Sequence, residues 1–162
     1  MTRKLFSMFV LTIAAVLSLT ACGSDGSDRT GASSARDSST IKVDSSSLGD
    51  ILVDGSGHTL YLFTPDGDNA TSSKCDAACL EKWPALEGRP EAGDGVDASL
   101  IGTTTGDGTK QATYAGHPLY YFANDKSAGD VNGQGLGKVW YVLDGKGVAV
   151  MKTPAATGGG GY

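Results

Sequence analysis

Ten residues that occur twice constrain this chain more than anything else in it. Residues 57–66 read Gly-His-Thr-Leu-Tyr-Leu-Phe-Thr-Pro-Asp and residues 116–125 read Gly-His-Pro-Leu-Tyr-Tyr-Phe-Ala-Asn-Asp, with Gly, His, Leu, Tyr, Phe and Asp recurring at an offset of 59. A duplicated unit of this size means two equivalent supersecondary elements, each with an apolar face that the other can cover. A tryptophan follows each copy at comparable distance, Trp83 after the first and Trp140 after the second.

The segments around the copies read as β-structure. Ile51-Leu52-Val53 precedes the turn Asp54-Gly55-Ser56-Gly57, Thr109 to Tyr114 precedes Ala115-Gly116, and Val139 to Leu143 is joined to Val148 to Met151 through Asp144-Gly145-Lys146-Gly147. Each is a pair of apolar runs about a glycine turn, the signature of a hairpin. The 24 glycines fit many turns between short strands, since helices tolerate glycine poorly. Tyr61 and Phe63 project from one strand face and Leu60 and Leu62 from the other, which predicts a central strand. The expected fold is a small antiparallel all-β domain, a sandwich or partly closed barrel with pseudo-twofold symmetry and one short helix.

That helix is predicted at 73–84, with Ser73 as N-cap and Pro84 as its stop. Cys75 and Cys79 fall on one face of it, at a spacing that suits a local disulfide. A redox or metal pair is the functional alternative, though the spacing lacks the Cys-x-x-Cys of thioredoxin-type sites.

The N-terminus predicts export. Arg3 and Lys4 precede an apolar run from Leu5 to Leu17, interrupted only by Ser7 and Thr12, and Leu19-Thr20-Ala21-Cys22 places small residues before a cysteine. The run is short for a membrane span. The sequence around Cys22 resembles the bacterial lipoprotein box, in which the cysteine is acylated and becomes the first residue of the mature chain. Residues 1–21 are then a signal peptide and 22–40 a flexible Ser/Gly/Asp-rich tether spanning roughly 20–25 Å. A domain at 41–153 holds the two repeats, about 48–86 and 108–151, and a Gly-rich tail occupies 154–162. Removing Cys22 from the count leaves Cys75 and Cys79 as a pair in an oxidising compartment. Loss of Arg3 and Lys4 leaves 11 basic against 18 acidic residues, a net charge of −7, which argues against nucleic-acid binding.

Together these residues resemble the bacterial secreted repeat of unknown function, a lipoprotein family with a Tyr-x-aromatic-x-x-Asp motif. The resemblance covers about 48–151, including Gly129-Asp130-x-Asn132-Gly133-Gln134-Gly135 ahead of Trp140. It maps the motif onto Tyr61, Phe63 and Asp66, and onto Tyr120, Phe122 and Asp125.

The residues carry several chemical readings. The motif aromatics read as core and the aspartates as clamps on their own turns. His58 and His117, at equivalent repeat positions, are candidate ligands for copper, zinc or haem, although two ligands alone make an incomplete set. Asp66-Gly67-Asp68-Asn69 and the run from Asp125 to Asn132 offer oxygen atoms to calcium without completing an EF-hand loop. No nucleophile elbow, His-Glu-x-x-His or phosphate loop is present. The expected function is a non-enzymatic, lipid-anchored, extracytoplasmic envelope module without a cofactor, attached to the membrane by its anchor and binding an envelope protein or small ligand. The alternatives are an extracytoplasmic redox or metal- and haem-handling protein, and an enzyme acting on wall glycans through Asp/Tyr groups.

Overall fold

A computed structural model describes residues 36–106 and 108–152. The signal segment 1–21, Cys22, most of the tether and the tail 154–162 lie outside the described residues. Strands β1 (Thr40–Ser46) and β2 (Gly49–Asp54) form an antiparallel hairpin, followed by β3 (Tyr61–Phe63), helix α1 (Ala77–Lys82) and β4 (Glu91–Ala92). Strands β5 (Ile101–Thr103), β6 (Ala112–Tyr114), β7 (His117–Pro118) and β8 (Trp140–Val142) complete the order. The strands make three small sheets, β2-β1-β4, β3-β8 and β5-β6-β7, an all-β, sandwich-like arrangement with no closed barrel among the described residues.

The two copies are joined at the centre of the molecule. Tyr61 N donates to Tyr120 O at 2.8 Å and Tyr120 N donates to Tyr61 O at 2.9 Å, so equivalent residues of the two repeats exchange backbone bonds. Tyr61 pairs on its other side with Val142 in β8, and Tyr120 with Ala85. The result is a four-segment ribbon ordered 84–86, 119–121, 61–63, 140–142, with a pseudo-twofold axis between the two tyrosines.

Alternation along this ribbon fills two separate apolar layers, as a pleated strand requires. Leu60, Leu62, Leu119 and Tyr121 join one layer with Leu52, Leu86 and Leu143, while Tyr61, Tyr120 and Phe122 join the other with Trp83 and Trp140. The strand carrying Tyr61 is therefore central, with apolar partners on both faces.

Three expectations need correction. The helix starts at Ala77 with Asp76 as N-cap, its carboxylate accepting from Cys79 N at 2.9 Å. Ser73 cannot cap it, because its hydroxyl accepts from Cys75 N and contacts Tyr120. The hairpin expected before the first copy is only partial: Leu60 N reaches Leu52 O, yet the long ladder of β2 runs to β1 and that of β3 to β8. Last, the folded body reaches back into the segment assigned to the tether. Gly55 N donates to Asp37 O, Glu91 N donates to Ser39 O, and the Arg36 guanidinium lies 4.5 Å over the Tyr121 ring.

Candidate functional site

The motif residues build one crossed clasp. Tyr61 of the first copy donates its hydroxyl proton to Asp125 Oδ2 of the second at 2.7 Å, and Tyr120 of the second donates to Asp66 Oδ2 of the first at 2.6 Å. The second oxygen of each carboxylate accepts a backbone N–H: Asp125 Oδ1 from Asn132 at 3.0 Å and Asp66 Oδ1 from Lys74 at 2.6 Å. A further equivalent pair crosses the axis, Ala70 N to Gly116 O and Gly129 N to Gly57 O, both at 3.0 Å. The aspartates thus do clamp loops, but each also holds the tyrosine of the other repeat, a partner that local spacing does not reveal.

Burial sets the electrostatics. Tyr61 and Tyr120 are fully buried, and Asp66 and Asp125 nearly so. Desolvation raises the pKa of Tyr61 far above the usual phenol range, reinforced by the Asp125 charge; at Tyr120 the same burial acts with the hydrogen bond to Asp66. Burial also pushes the Asp125 carboxyl up, against the hydrogen bonds from Tyr61 and Asn132 that pull it down. These groups are held as neutral phenols on buried carboxylates. Tyr61→Phe is expected to cost about 1–3 kcal/mol, because Asp125 Oδ2 then loses its donor in a buried site. A double-mutant cycle with Asp125→Ala, read by urea unfolding, should return a positive coupling across the two repeats; additive losses would show the bond to be energetically idle.

Beside the clasp, the remaining aromatics stack in one column. Phe63 lies 4.3 Å from Trp140, Trp140 lies 3.8 Å from Trp83 with planes 4° apart, and Trp83 lies 4.4 Å from Phe122. Tyr61 and Tyr120 meet Trp83 and Trp140 edge-on at 5.4 and 5.2 Å. Both faces of each indole are covered, so neither is free to stack on a ligand. Gly133 passes so close that a Cβ there would come within 2.8 Å of both Trp83 and Tyr61.

The histidines have separate partners. His58 is buried in the turn organised by Asp54, whose Oδ1 accepts from Ser56 N, Ser56 Oγ and His58 N, while Tyr121 donates to its Oδ2 at 3.1 Å. Ser56 Oγ stands 3.1 Å from His58 Nδ1, whereas Asp54 Oδ1 is 3.9 Å from it. In a nucleophilic triad the carboxylate orients the histidine, which takes the serine proton. Here the serine sits on the carboxylate, so the set locks a turn. His117 Nε2 lies 3.7 Å from the exposed Asp68.

The acidic loops likewise turn inward, with Asp130 Oδ2 accepting from Lys126 N and Ser127 N. Among the described residues, no three His, Cys, Asp or Glu side chains are grouped to hold a metal. Cys75 and Cys79 form a disulfide with Cα atoms 5.2 Å apart, tying the loop that carries Ser73 and Lys74 to α1.

The two halves of the clasp differ at one place. Asp125 takes its backbone bond seven residues on and Asp66 eight residues on, so the first copy has one residue more between motif and loop. At Tyr61, Gly133 N donates directly to the phenol oxygen at 3.2 Å. At Tyr120, the amide of Cys75 instead donates to Ser73 Oγ at 2.9 Å, and Ser73 Oγ stands 2.7 Å from the phenol. Sequence reasoning assigned Ser73 to a helix cap, and it placed Asp54 in a turn and Tyr121 in the second repeat without the hydrogen bond that joins them. A comparison of the two loop lengths was the one available signal for Ser73.

Fold and site together define a class: an all-β module of two interlocked copies, each supplying half of the other's tyrosine–aspartate clasp. The chain belongs to the family described as a secreted repeat of unknown function, whose model matches residues 42–87 and 103–144, together more than half of its length. Both matched segments contain a complete Tyr–Asp motif and the tryptophan that follows it. No curated protein and no solved structure gives a significant match. Among the described residues no helix is long and apolar enough to cross a membrane.

Proposed function

We propose that the chain is a lipid-anchored, non-enzymatic module of the cell envelope that binds a surface component or small ligand through its loops. The observation that carries this reading is the commitment of all four buried motif groups to one another. Each carboxylate already accepts a hydrogen bond from a phenol O–H and one from a backbone N–H, leaving no acid–base pair at the clasp to serve a substrate. Such a centre favours a rigid scaffold that presents loops.

Anchoring rests on Cys22 and the export segment before it. Acyl chains contribute about 0.8 kcal/mol per buried methylene, so more than one chain is needed for stable attachment. In cells, the native chain is expected in the membrane fraction with incorporated fatty acid, and Cys22→Ala in the soluble extracytoplasmic fraction without it. Equal membrane retention of the two would remove the lipid anchor from this reading. The purified chain is expected to leave wall glycans intact. A stoichiometric metal or haem that disappears in the His58→Ala/His117→Ala double variant would replace this reading with the redox one.

A further inference from the structure

The place where the two copies differ opens onto a groove. It has a volume of about 380 Å³ and is lined by Ser72, Ser73, Thr104, Thr109 and Gln111, with Leu80 as an apolar contribution. That volume falls in the lower part of the range of small-molecule sites, about 300–1,000 Å³. The first copy, with its one extra residue, places the half-buried Ser73 in the lining of this groove. At the equivalent position by Tyr61, the Gly133 backbone closes directly on the phenol and leaves no comparable hydroxyl. A feature present at one of two duplicated positions is not demanded by the shared fold.

Proton accounting fixes what Ser73 offers. The single proton of Tyr120 goes to Asp66, so the Tyr120 oxygen accepts from Ser73 across their 2.7 Å contact. The Cys75 amide occupies one lone pair of Ser73 Oγ, and the other remains for a donor in the groove. The buried carboxylate at the far end polarises the chain and strengthens Ser73 as an acceptor. Glu87 is the charged member of the lining and disfavours an anionic ligand, while Lys110 Nζ is taken up by Gly106 O at 3.0 Å. Gln111 Nε2 already donates to Leu119 O and Thr104 Oγ1 accepts from Gln111 N, so Ser73, the exposed Ser72 and Thr109 and the Leu80 side chain are left as the recognition groups, complementary to an uncharged molecule with many hydroxyl donors and C–H faces.

We propose that this groove is a saccharide-binding site in which Ser73 Oγ accepts a hydrogen bond from a sugar hydroxyl. The proposal rests on the binding-module reading above and supplies its ligand class. The test is backbone amide NMR of the full chain titrated with diacetylchitobiose and, separately, maltose. Saturable shifts are expected at Ser73, Thr104, Gly106 and Gln111 with at least one sugar. Ser73→Ala should weaken binding about tenfold, the loss of one good hydrogen bond. Thr109→Trp, which fills the groove from its exposed rim, should abolish binding while the Gly133 and Tyr61 amides keep their native positions. Absence of shifts, or equal affinity in Thr109→Trp, would overturn the proposal. Saturable shifts at another surface would overturn the site and leave the binding-module reading standing, whereas cleavage of a bound sugar would keep the site and overturn the non-enzymatic reading.

Discussion

Trp140→Ala is expected to cost the domain about 3–5 kcal/mol, the range for deleting a large buried aromatic. Trp140 is only 5 % exposed and sits between Phe63 and Trp83, with Tyr120 against its edge. Truncation strips one face from each of those two rings and leaves a void between the copies. Thermal unfolding should show a fall in Tm of roughly 10–20 °C. Trp140→Phe keeps a ring in the column and should lose well under half as much. A loss below about 1 kcal/mol for Trp140→Ala would mean that the column packs without bearing on stability.

At high pH the expected effect is as large. Burial raises the pKa of Tyr61, Tyr120 and Tyr121, with Asp125, Asp66 and Asp54 respectively adding to the shift. Each phenol is therefore protonated in the folded chain at a pH where it ionises in the unfolded one, so the unfolded state binds fewer protons and stability falls as pH rises. The fall begins near the ordinary phenol value of about 10. Each tyrosine contributes a slope approaching about 1.4 kcal/mol per pH unit, and three together about 4 kcal/mol. Against a typical stability of about 5–15 kcal/mol, the domain should unfold within a few pH units above 10. Tyrosinate absorbance from the buried phenols should then appear in step with loss of the folded signal. Tyr61→Phe should reduce the slope by about a third. Titration of these phenols near 10 with the fold intact would contradict the buried clasp.

Much of the scaffold was legible because it is written in periodicity. The offset of 59 announced two equivalent units, and the alternation of Leu60 and Leu62 with Tyr61 and Phe63 announced a strand buried on both faces, which is how β3 is placed. The Cys75–Cys79 disulfide followed from spacing. Pairing between distant segments was not legible. Tyr61 and Asp125 are 64 residues apart and Tyr120 and Asp66 are 54 apart, and nothing in the local sequence states that each tyrosine belongs to the other copy's aspartate. The helix start was misread because Ser73 is a good cap by composition, while its hydroxyl is engaged by Tyr120 in the folded chain. Strand β1 was missed as a strand because Thr40 to Ser46 is mostly polar; only Ile41 in it is fully buried.

The reciprocal Tyr61–Tyr120 backbone exchange has a corollary. One copy by itself is half a fold: its central strand lacks a neighbour, its phenol a carboxylate and its indole a stacking mate. A single copy could supply these groups to itself only by pairing with a second copy, with the same three groups placed across the interface. With both copies in one chain, their association is intramolecular and does not depend on concentration, and the two loops can differ, as they do at Ser73.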